Sequence, residues 1–436
     1  MNKTLKFDLY LGFVFLLTFL SYHYALNMLA LALFLLVAVV TIYKTDNIIY
    51  LISLLFFIQM STTIIRDDTE ITTIFGLSLL PVLALDFIKH RKLTSIGALG
   101  LPLILFIDAS LVSLFNAESL FVGFVGVILM ASIFVLYVYF INTLNPSKET
   151  FEMIAKLFLA LASLVTLQMV VVAINLERPL IEIISRRMID LGWENINIVV
   201  YPNIFAIPLA SYLLLKARFK MPYLIALTWV IIGISLTLSR SSLLSVAIYL
   251  VLLIPYVFVK SPYKLSFLSE IILFVLISSF AAYHIEENYQ LFTDYYEAIN
   301  SRDWFRVTDR LDLAIAGLNA FKDTPLIGTG GLFSSRFVLE DYGFNAINYH
   351  NTFIQTLTLG TLGIIAFIYL QIKKFLLVIK IDPIKRYIVL VLLFVTIIVN
   401  GMFQPMYYYA TYMFYLFLVL ASVEKEVNHQ SAEIDK

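Results

Sequence analysis

Long apolar runs decide what this chain can fold into. Apolar residues make up 61% of its 436 positions and charged residues only 14%, whereas about half of a soluble globular domain is apolar. A run of about 20 apolar residues matches the hydrocarbon thickness of a bilayer and must satisfy its backbone hydrogen bonds internally, as a helix. The sequence therefore predicts an all-α polytopic membrane protein.

The runs predict about fourteen membrane-spanning helices, with twelve as the lower count. The predicted spans lie near residues 8–24, 26–43, 48–65, 71–88, 95–115, 119–141, 151–174, 198–216, 222–238, 241–259, 266–284, 347–370, 386–403 and 405–422. Two connecting segments, 175–197 and 285–346, are too long to be simple turns.

The distribution of Lys and Arg orients these spans. Most basic residues, among them the cluster from Lys89 to Lys92, lie in alternate short loops on the side of the N-terminus. Loops rich in Lys and Arg stay in the cytoplasm during insertion. The bias predicts that both termini are cytoplasmic, with 423–436 as a tail, and that 175–197 and 285–346 lie outside.

The two outer segments differ in character. Segment 175–197 carries apolar and charged residues at helical spacing and is predicted to be an amphipathic segment in the membrane interface. Segment 285–346, before the last three spans, is rich in aromatic and acidic residues and is predicted to be a large extracytoplasmic loop with short helices. Aromatic faces beside carboxylates suit sugar rings; an aromatic belt at the membrane surface is the alternative.

One predicted helix of this loop carries an arginine in an unfavourable place. Thr308 or Asp309 is a suitable N-cap. Apolar residues then recur on one helical face, at Leu311, Ile315, Leu318 and Phe321. Arg310 falls in the first turn, where the helix dipole disfavours a cation. Helix stability alone therefore does not account for Arg310.

A second arginine, Arg240, lies in the sequence LTLSRSSLL, in a short turn between two predicted spans. An Arg inside a membrane costs about 3 kcal/mol on insertion scales and less at the interface, so a snorkelling role is one interpretation. Against it, this side of the membrane otherwise avoids basic residues. A guanidinium flanked by the hydroxyls of Ser239, Ser241 and Ser242 suits a phosphate ligand.

His350 stands where the outer loop meets a long apolar run, in the sequence NAINYHNTFIQTLTLGTLG. A His at a helix end is more often a hydrogen-bonded interfacial residue than a catalyst. His350 differs because the loop before it carries arginines, and because an imidazole, with a pKa near neutrality, is able to take a proton from a hydroxyl. We therefore predict His350 as a catalytic base, with Asn351 as its orienting partner or as a helix cap.

An acidic residue, Asp108, lies within the predicted span 95–115. Ionising a carboxyl group inside a membrane is expensive. We therefore expect Asp108 to face the protein interior and to pair with one of the site arginines.

Three stretches together resemble the O-antigen polymerase and O-antigen ligase superfamily. They are Ser-Arg-Ser-Ser at 239–242, Arg-Leu-Asp-Leu…Phe-Lys-Asp-Thr-Pro-Leu-Ile-Gly-Thr-Gly at 310–330, and His-Asn-Thr-Phe-Ile-Gln-Thr-Leu…Gly-Thr-Leu-Gly at 350–363. Their order and spacing carry the resemblance, which extends from about Tyr201-Pro-Asn203 to Gly363. The earlier spans are similar to the family in architecture only.

The resemblance implies a membrane glycosyltransferase that takes a glycan from an undecaprenyl-diphosphate carrier, at the outer face of the cytoplasmic membrane of a bacterium. In such enzymes two arginines hold the diphosphate and a histidine activates the acceptor hydroxyl. By motif these are Arg240, Arg310 and His350, with Arg306 as a neighbour that competes with Arg310 for the role. The supporting residues are expected to be Asn351, Ser239, Ser241, Asn203 and Asp108.

The expected reaction needs no cofactor. No two Asp residues are spaced as Asp-x-Asp, a common metal site for nucleotide-sugar donors, and the chain contains no Cys. We therefore expect a metal-independent, inverting transfer. The expected partners are the lipid-linked donor, a glycan acceptor and the bilayer, together with a flippase and a chain-length regulator, and no nucleic acid.

Three functions compete. A polymerase joins lipid-linked repeat units into O-antigen, capsule or exopolysaccharide, whereas a ligase transfers finished glycan to lipid A core or to a protein. Fourteen spans favour the polymerase, because ligases of this type often have twelve. A flippase for lipid-linked glycan is the rival class, but such a transporter needs charged groups across its spans and two related halves, and neither is evident here.

Overall fold

The computed structural model describes residues 3–45, 47–61, 82, 85, 86, 88, 89, 95–146, 148–186, 188–192, 199–284, 293 and 307–434. This part of the chain is helical with short connections and contains no β-strand, so the all-α class is confirmed. The described α-helices are α1 (Lys3–His23), α2 (Asn27–Lys44), α3 (Ile49–Gln59), α4 (Gly100–Ser113), α5 (Leu120–Thr143), α6 (Lys148–Asn175), α7 (Leu180–Ser185), α8 (Tyr201–Lys216), α9 (Met221–Thr237), α10 (Arg240–Lys260), α11 (Lys264–His284), α12 (Val307–Asp323), α13 (Ser335–Asp341), α14 (Thr352–Leu357), α15 (Gly360–Val378), α16 (Pro383–Leu393) and α17 (Ala410–Ile434).

Six of these helices are long and apolar enough to cross a membrane. They begin at Leu5, Leu120, Glu149, Arg240, Gly360 and Pro383, and the last continues past α16 to Met402. Shorter apolar helices cover Met28–Lys44, Ile49–Ile58, Gly100–Asn116 and Met221–Thr237. The predicted span 71–88 lies almost entirely outside the described residues. A multi-pass membrane protein is thus confirmed, while the count of fourteen and the orientation stay predictions.

Two compact units make up the chain, and each is described by itself. Unit 1 contains residues 1–92 and 147–303, and unit 2 contains residues 93–146 and 304–436. In unit 1, α6 packs along α8, and the rings of Phe158 and Phe205 stack between them with centroids 5.3 Å apart. Every residue of α8 from Tyr201 to Leu215 is buried. Its apolar surroundings explain why its sequence shows no single apolar face.

Unit 2 is held together at the start of α4 by one acidic side chain from α17. Glu424 is buried, and its carboxylate accepts a hydrogen bond from the backbone N–H of Ala98 at 2.6 Å. The Tyr137 hydroxyl of α5 donates to the same carboxylate, and its oxygen accepts from the N–H of Leu99 at 3.0 Å. Glu424 and Tyr137 thus fix the two backbone N–H groups that precede α4, and the negative charge near this N-terminus complements the helix dipole.

A glycine-rich turn follows α12 and packs against the turn that precedes α15. Gly328 and Gly360 have φ angles of +83° and +68°, in the left-handed region that favours glycine. The backbone N–H of Thr329 donates to the carbonyl of Thr358 at 2.9 Å, and the Asn116 side chain donates to the carbonyl of Gly328 at 2.9 Å. The Pro-Leu-Ile-Gly-Thr-Gly stretch is therefore a tight turn packed against its neighbours.

The predicted span 347–370 is wrong in its boundaries. The short helix α14 ends at Leu357, and α15 begins only at Gly360. The chain turns at 358–359 because Gly360 has a positive φ and Thr358 hydrogen-bonds to the carbonyl of Gln355 at 2.7 Å. His350 consequently lies before α14, outside the membrane-spanning helix.

Three further predicted segments are described only in part or continue a neighbouring helix. The described residues of segment 175–197 include α7, where Ile183 and Ile184 are buried and exposed Arg186 pairs with Glu182 at 3.1 Å. Most of residues 285–306 lie outside the described residues. The predicted tail 423–436 continues α17 to Ile434.

Replacing Gly360 with Ala is expected to destabilise the protein. A Cβ there would lie 2.5 Å from the Leu326 carbonyl oxygen and 2.7 Å from the Gly328 nitrogen. The positive φ adds strain, so the loss is about 2 kcal/mol or more. Gly12→Ala in α1 is the matched control, because no atom lies within 4 Å of its added Cβ. Thermal unfolding in detergent should show a lower Tm for Gly360→Ala alone; equal Tm values would contradict the tight turn.

Candidate functional site

Asn351 is the N-cap of α14. Its side-chain oxygen accepts hydrogen bonds from the backbone N–H groups of Phe353 at 2.9 Å and Ile354 at 3.1 Å. Its amide nitrogen donates to the carbonyl of Met402 at 3.3 Å. An N-cap of this kind stabilises a helix by about 1 kcal/mol. The cap role predicted for Asn351 is therefore present, and it attaches the chain beside His350 to a distant segment.

Thr352 joins the same two segments through its hydroxyl. This side chain is 1% exposed. Its Oγ1 donates to the carbonyl of Gln404 at 2.7 Å and accepts from the backbone N–H of Met406 at 2.7 Å. Both capacities of a buried hydroxyl are used, which fixes the backbone on either side of Pro405.

Gln355 connects α14 to the loop after the glycine-rich turn. Its amide nitrogen donates to the carbonyl of Leu332 at 2.5 Å and to the Ser335 hydroxyl at 2.9 Å. Its amide oxygen accepts from the backbone N–H of Tyr349 at 3.3 Å. The Asn, Thr and Gln of the motif therefore have structural partners.

His350 is different. Its backbone lies at a φ of +51°, and its N–H donates to the Asn348 side chain at 2.8 Å. The imidazole is half-buried, and its Nδ1 is buried without a hydrogen-bond partner among the described residues. A non-glycine residue with positive φ costs of order 1–3 kcal/mol and persists where the surrounding structure demands it. The surrounding structure thus holds His350 in a backbone conformation that its residue type disfavours.

Two neighbours act on the His350 imidazole in opposite directions. Burial lowers the pKa of His350 below its usual value, and the positive charge of Arg310 lowers this pKa further. Hydrogen bonding with the Gln404 side chain raises it in part. The net shift is downward, so His350 is neutral at pH 7 and able to accept a proton.

Arg310 and Gln404 reach His350 from different elements of unit 2. Arg310 is exposed near the start of α12, and its guanidinium carbon lies 5.6 Å from the centroid of the Phe403 ring, a cation–π distance. Phe403 and Gln404 belong to the segment that Thr352 holds. The structure therefore brings together three of the predicted site residues: His350, Asn351 and Arg310.

Segment 400–408 is the part of the site that the sequence did not reveal. It follows a π-helical turn at Phe394–Val399, where the buried Asn400 side chain donates to the carbonyl of Val395 at 3.2 Å. At its other end the Tyr407 hydroxyl accepts from Gln371 at 2.8 Å and from Lys374 at 2.5 Å. π-Helical turns often occur at functional sites, but no residue pattern in the apolar span 386–403 signals one.

Arg240 is in unit 1, as the first residue of α10. Leu238 before it has a φ of +45°, and Ser239 is the N-cap without a side-chain capping bond. The Ser239 hydroxyl instead contacts the hydroxyls of Ser242 at 3.0 Å and Ser241 at 3.4 Å. A cation at a helix N-terminus is unfavourable by about 0.3–1 kcal/mol. The three serines are therefore buried beside Arg240, a cation that the dipole of α10 disfavours at this end of the helix.

Asn203 has a clear structural role in unit 1. It is fully buried, and its amide nitrogen donates to the Thr166 hydroxyl at 3.1 Å and to the Val230 carbonyl at 3.1 Å. Gly233 makes room for this contact, since a Cβ there would lie 2.1 Å from the Thr166 hydroxyl. Asn203 thus links α6, α8 and α9.

Asp108 does not face the protein interior as expected. It is exposed, and no hydrogen bond or ion pair joins it to another described residue. The buried side of α4 is formed at the spacing of Leu103, Phe106, Ala109 and Ser113, and position 108 falls off that side. Arg306 lies outside the described residues. Within those residues no three His, Asp or Glu side chains gather as metal ligands.

The pKa of His350 is expected to respond to both neighbours. Arg310→Gln removes a nearby positive charge and should move the pKa up, whereas Gln404→Leu removes a partner of the protonated ring and should move it down. NMR titration of labelled histidines measures this, with the His350 signal assigned by its loss in His350→Gln. The signal of exposed His23 serves as the internal control, and shifts of the same sign in both variants would contradict this arrangement.

Comparison with known proteins tests the resemblance directly. Residues 225–370, about a third of the chain, match the family model described as O-antigen ligase. This segment includes Arg240, Arg310 and His350, and leaves Asn203 and Asp108 outside. No curated protein sequence matches the chain. The resemblance is confirmed over this segment, where the chain is similar to the O-antigen ligase family.

Proposed function

We propose that this protein is a membrane glycosyltransferase that takes a glycan from an undecaprenyl-diphosphate carrier, with His350 as the base that accepts the proton of the acceptor hydroxyl. One observation carries the proposal. Asn351, Thr352 and Gln355 are all held in structural hydrogen bonds, whereas the neighbouring imidazole is neutral and its Nδ1 has no partner among the described residues. A proton acceptor at pH 7 needs this protonation state.

The transfer is a single displacement at the anomeric carbon of the donor sugar. The acceptor oxygen forms a new bond to this carbon while the bond to the carrier diphosphate breaks, which inverts the configuration. The acceptor proton passes to His350, and negative charge develops on the leaving diphosphate. Guanidinium groups stabilise such charge. Arg310, which lies next to His350, is one of the two residues that bind the diphosphate in this proposal. Arg240 is the second, by its family motif.

Further features extend the proposal beyond the described contacts. The positive-inside bias supports a site that faces outward from the cytoplasmic membrane of a bacterium. The transfer needs no metal ion in this proposal, because a base and cations are already supplied by side chains. A flippase that delivers the lipid-linked donor and a chain-length regulator are the proposed protein partners.

His350→Gln is expected to abolish transfer without changing stability. Loss of a general base costs about 100-fold or more in rate, whereas glutamine keeps a polar side chain that is able to hydrogen-bond with Gln404, so the Tm should stay close to that of the wild type. Thr352→Val is the contrasting variant: it removes two buried hydrogen bonds, so it should lower the Tm as well as the rate. Transfer from purified lipid-linked donor and thermal unfolding are measured in parallel. Full activity of His350→Gln would rule out its role as the base.

We favour a polymerase of O-antigen, capsule or exopolysaccharide repeat units. The ligase is the second candidate, and the description of the matching family as O-antigen ligase favours it. Surface glycan from a deletion strain should separate the two. Single repeats attached to the final acceptor would indicate a lost polymerase, whereas long chains that remain on the carrier would indicate a lost ligase and contradict our choice.

A further inference from the structure

Helix α12 has two apolar faces, and only one of them packs against the protein. Leu313 and Ala316 belong to a buried cluster with Leu339 and Tyr349. Gly317 allows close packing, since a Cβ there would lie 2.4 Å from the Ile354 side chain and 3.0 Å from the Tyr349 ring. This first face attaches α12 to the chain on either side of His350.

The second apolar face consists of Leu311, Ile315 and Leu318. These residues recur at helical spacing, as the sequence predicted, yet they are 52%, 45% and 43% exposed. The helix therefore keeps a row of large apolar side chains out of the core. Complete burial of a fully exposed side chain of this size contributes about 1.5–3 kcal/mol, so each of these half-exposed side chains leaves about half of that unrealised. A face of this composition is suited to a hydrocarbon ligand.

The neighbours of the second apolar face specify the ligand more closely. Arg310 precedes Leu311 and is itself exposed, with its guanidinium group near the Phe403 ring. From Leu311 to Leu318 the face extends for about 10 Å along the helix. Arg310 lies about a quarter turn around the helix from the face but next to its first residue. A cation beside the start of a short apolar strip matches a ligand whose anionic head continues directly into an apolar chain.

We propose that the second apolar face binds the first part of the isoprenoid chain of the lipid-linked donor, while Arg310 binds its diphosphate. This inference rests on the proposed function. The isoprenoid is covalently joined to the diphosphate, so it must leave Arg310 across an adjacent surface, and the second apolar face begins at the next residue. A bilayer phospholipid has no such fixed starting point at Arg310.

Two donors that differ only in isoprenoid length test the subsite. Both carry the same glycan diphosphate, one on a short water-soluble isoprenoid and one on the full-length chain. The kcat/KM for the full-length donor divided by the kcat/KM for the short donor measures how much the enzyme gains from the longer hydrocarbon chain. In the triple variant Leu311→Ser, Ile315→Ser and Leu318→Ser, the ratio should fall about tenfold, because three apolar contacts are lost.

Leu326→Ser is the matched control, since Leu326 is 75% exposed but lies at the far end of α12 from Arg310. Its ratio should equal that of the wild type. An unchanged ratio in the triple variant would overturn the subsite while leaving the proposed function intact. If the wild type transferred glycan from neither donor, the proposed function itself would fail.

A photoreactive isoprenoid diphosphate provides an independent readout. It should label the peptide that contains 311–318, and excess unlabelled donor should suppress the labelling. Labelling of this peptide by a photoreactive phospholipid, unaffected by donor, would instead assign the second apolar face to the bilayer and overturn the proposal.

Discussion

The hydroxyl of Thr352 is the contact on which the candidate site depends. It is buried, donates to the Gln404 carbonyl and accepts from the Met406 N–H, so it joins two chain segments that are about fifty residues apart. Asn351 reinforces this junction through Met402. Because segment 400–408 carries Phe403 and Gln404, the junction also determines what surrounds Arg310 and His350. Losing the hydroxyl would remove both of these hydrogen bonds and with them the direct link between the two segments.

Polar side chains in apolar surroundings serve position as well as chemistry in this protein. Glu424 fixes the backbone before α4, Asn203 links α6 to its neighbours, and Gln355 holds the chain at Leu332 and Ser335. Each is buried and makes hydrogen bonds that offset part of the cost of removing a polar group from water. The Nδ1 of His350 is buried and has no hydrogen-bond partner within the described residues. The backbone of His350 also has a positive φ, a strained conformation for a residue other than glycine.

The lengths of the apolar runs predicted several helices to within a few residues of their bounds, among them α2, α5, α6 and α10. They failed where a single backbone dihedral angle decides the course of the chain. The run 347–370 reads as one span, yet Gly360 turns the chain and leaves α14 separate. The expectation that Asp108 faces the protein interior also failed. The cost of ionising a carboxyl group in a membrane does not reveal which side of α4 is buried.

The sequence by itself determined the membrane class, the all-α fold and the residues of the site motifs, because hydrocarbon thickness and side-chain chemistry act on local stretches. It predicted Arg310, His350 and Asn351. Only the tertiary structure decided that Gln404 and Phe403 lie beside them and that the face of α12 with Leu311, Ile315 and Leu318 stays exposed. These outcomes depend on contacts between residues far apart in the chain, which no local pattern encodes.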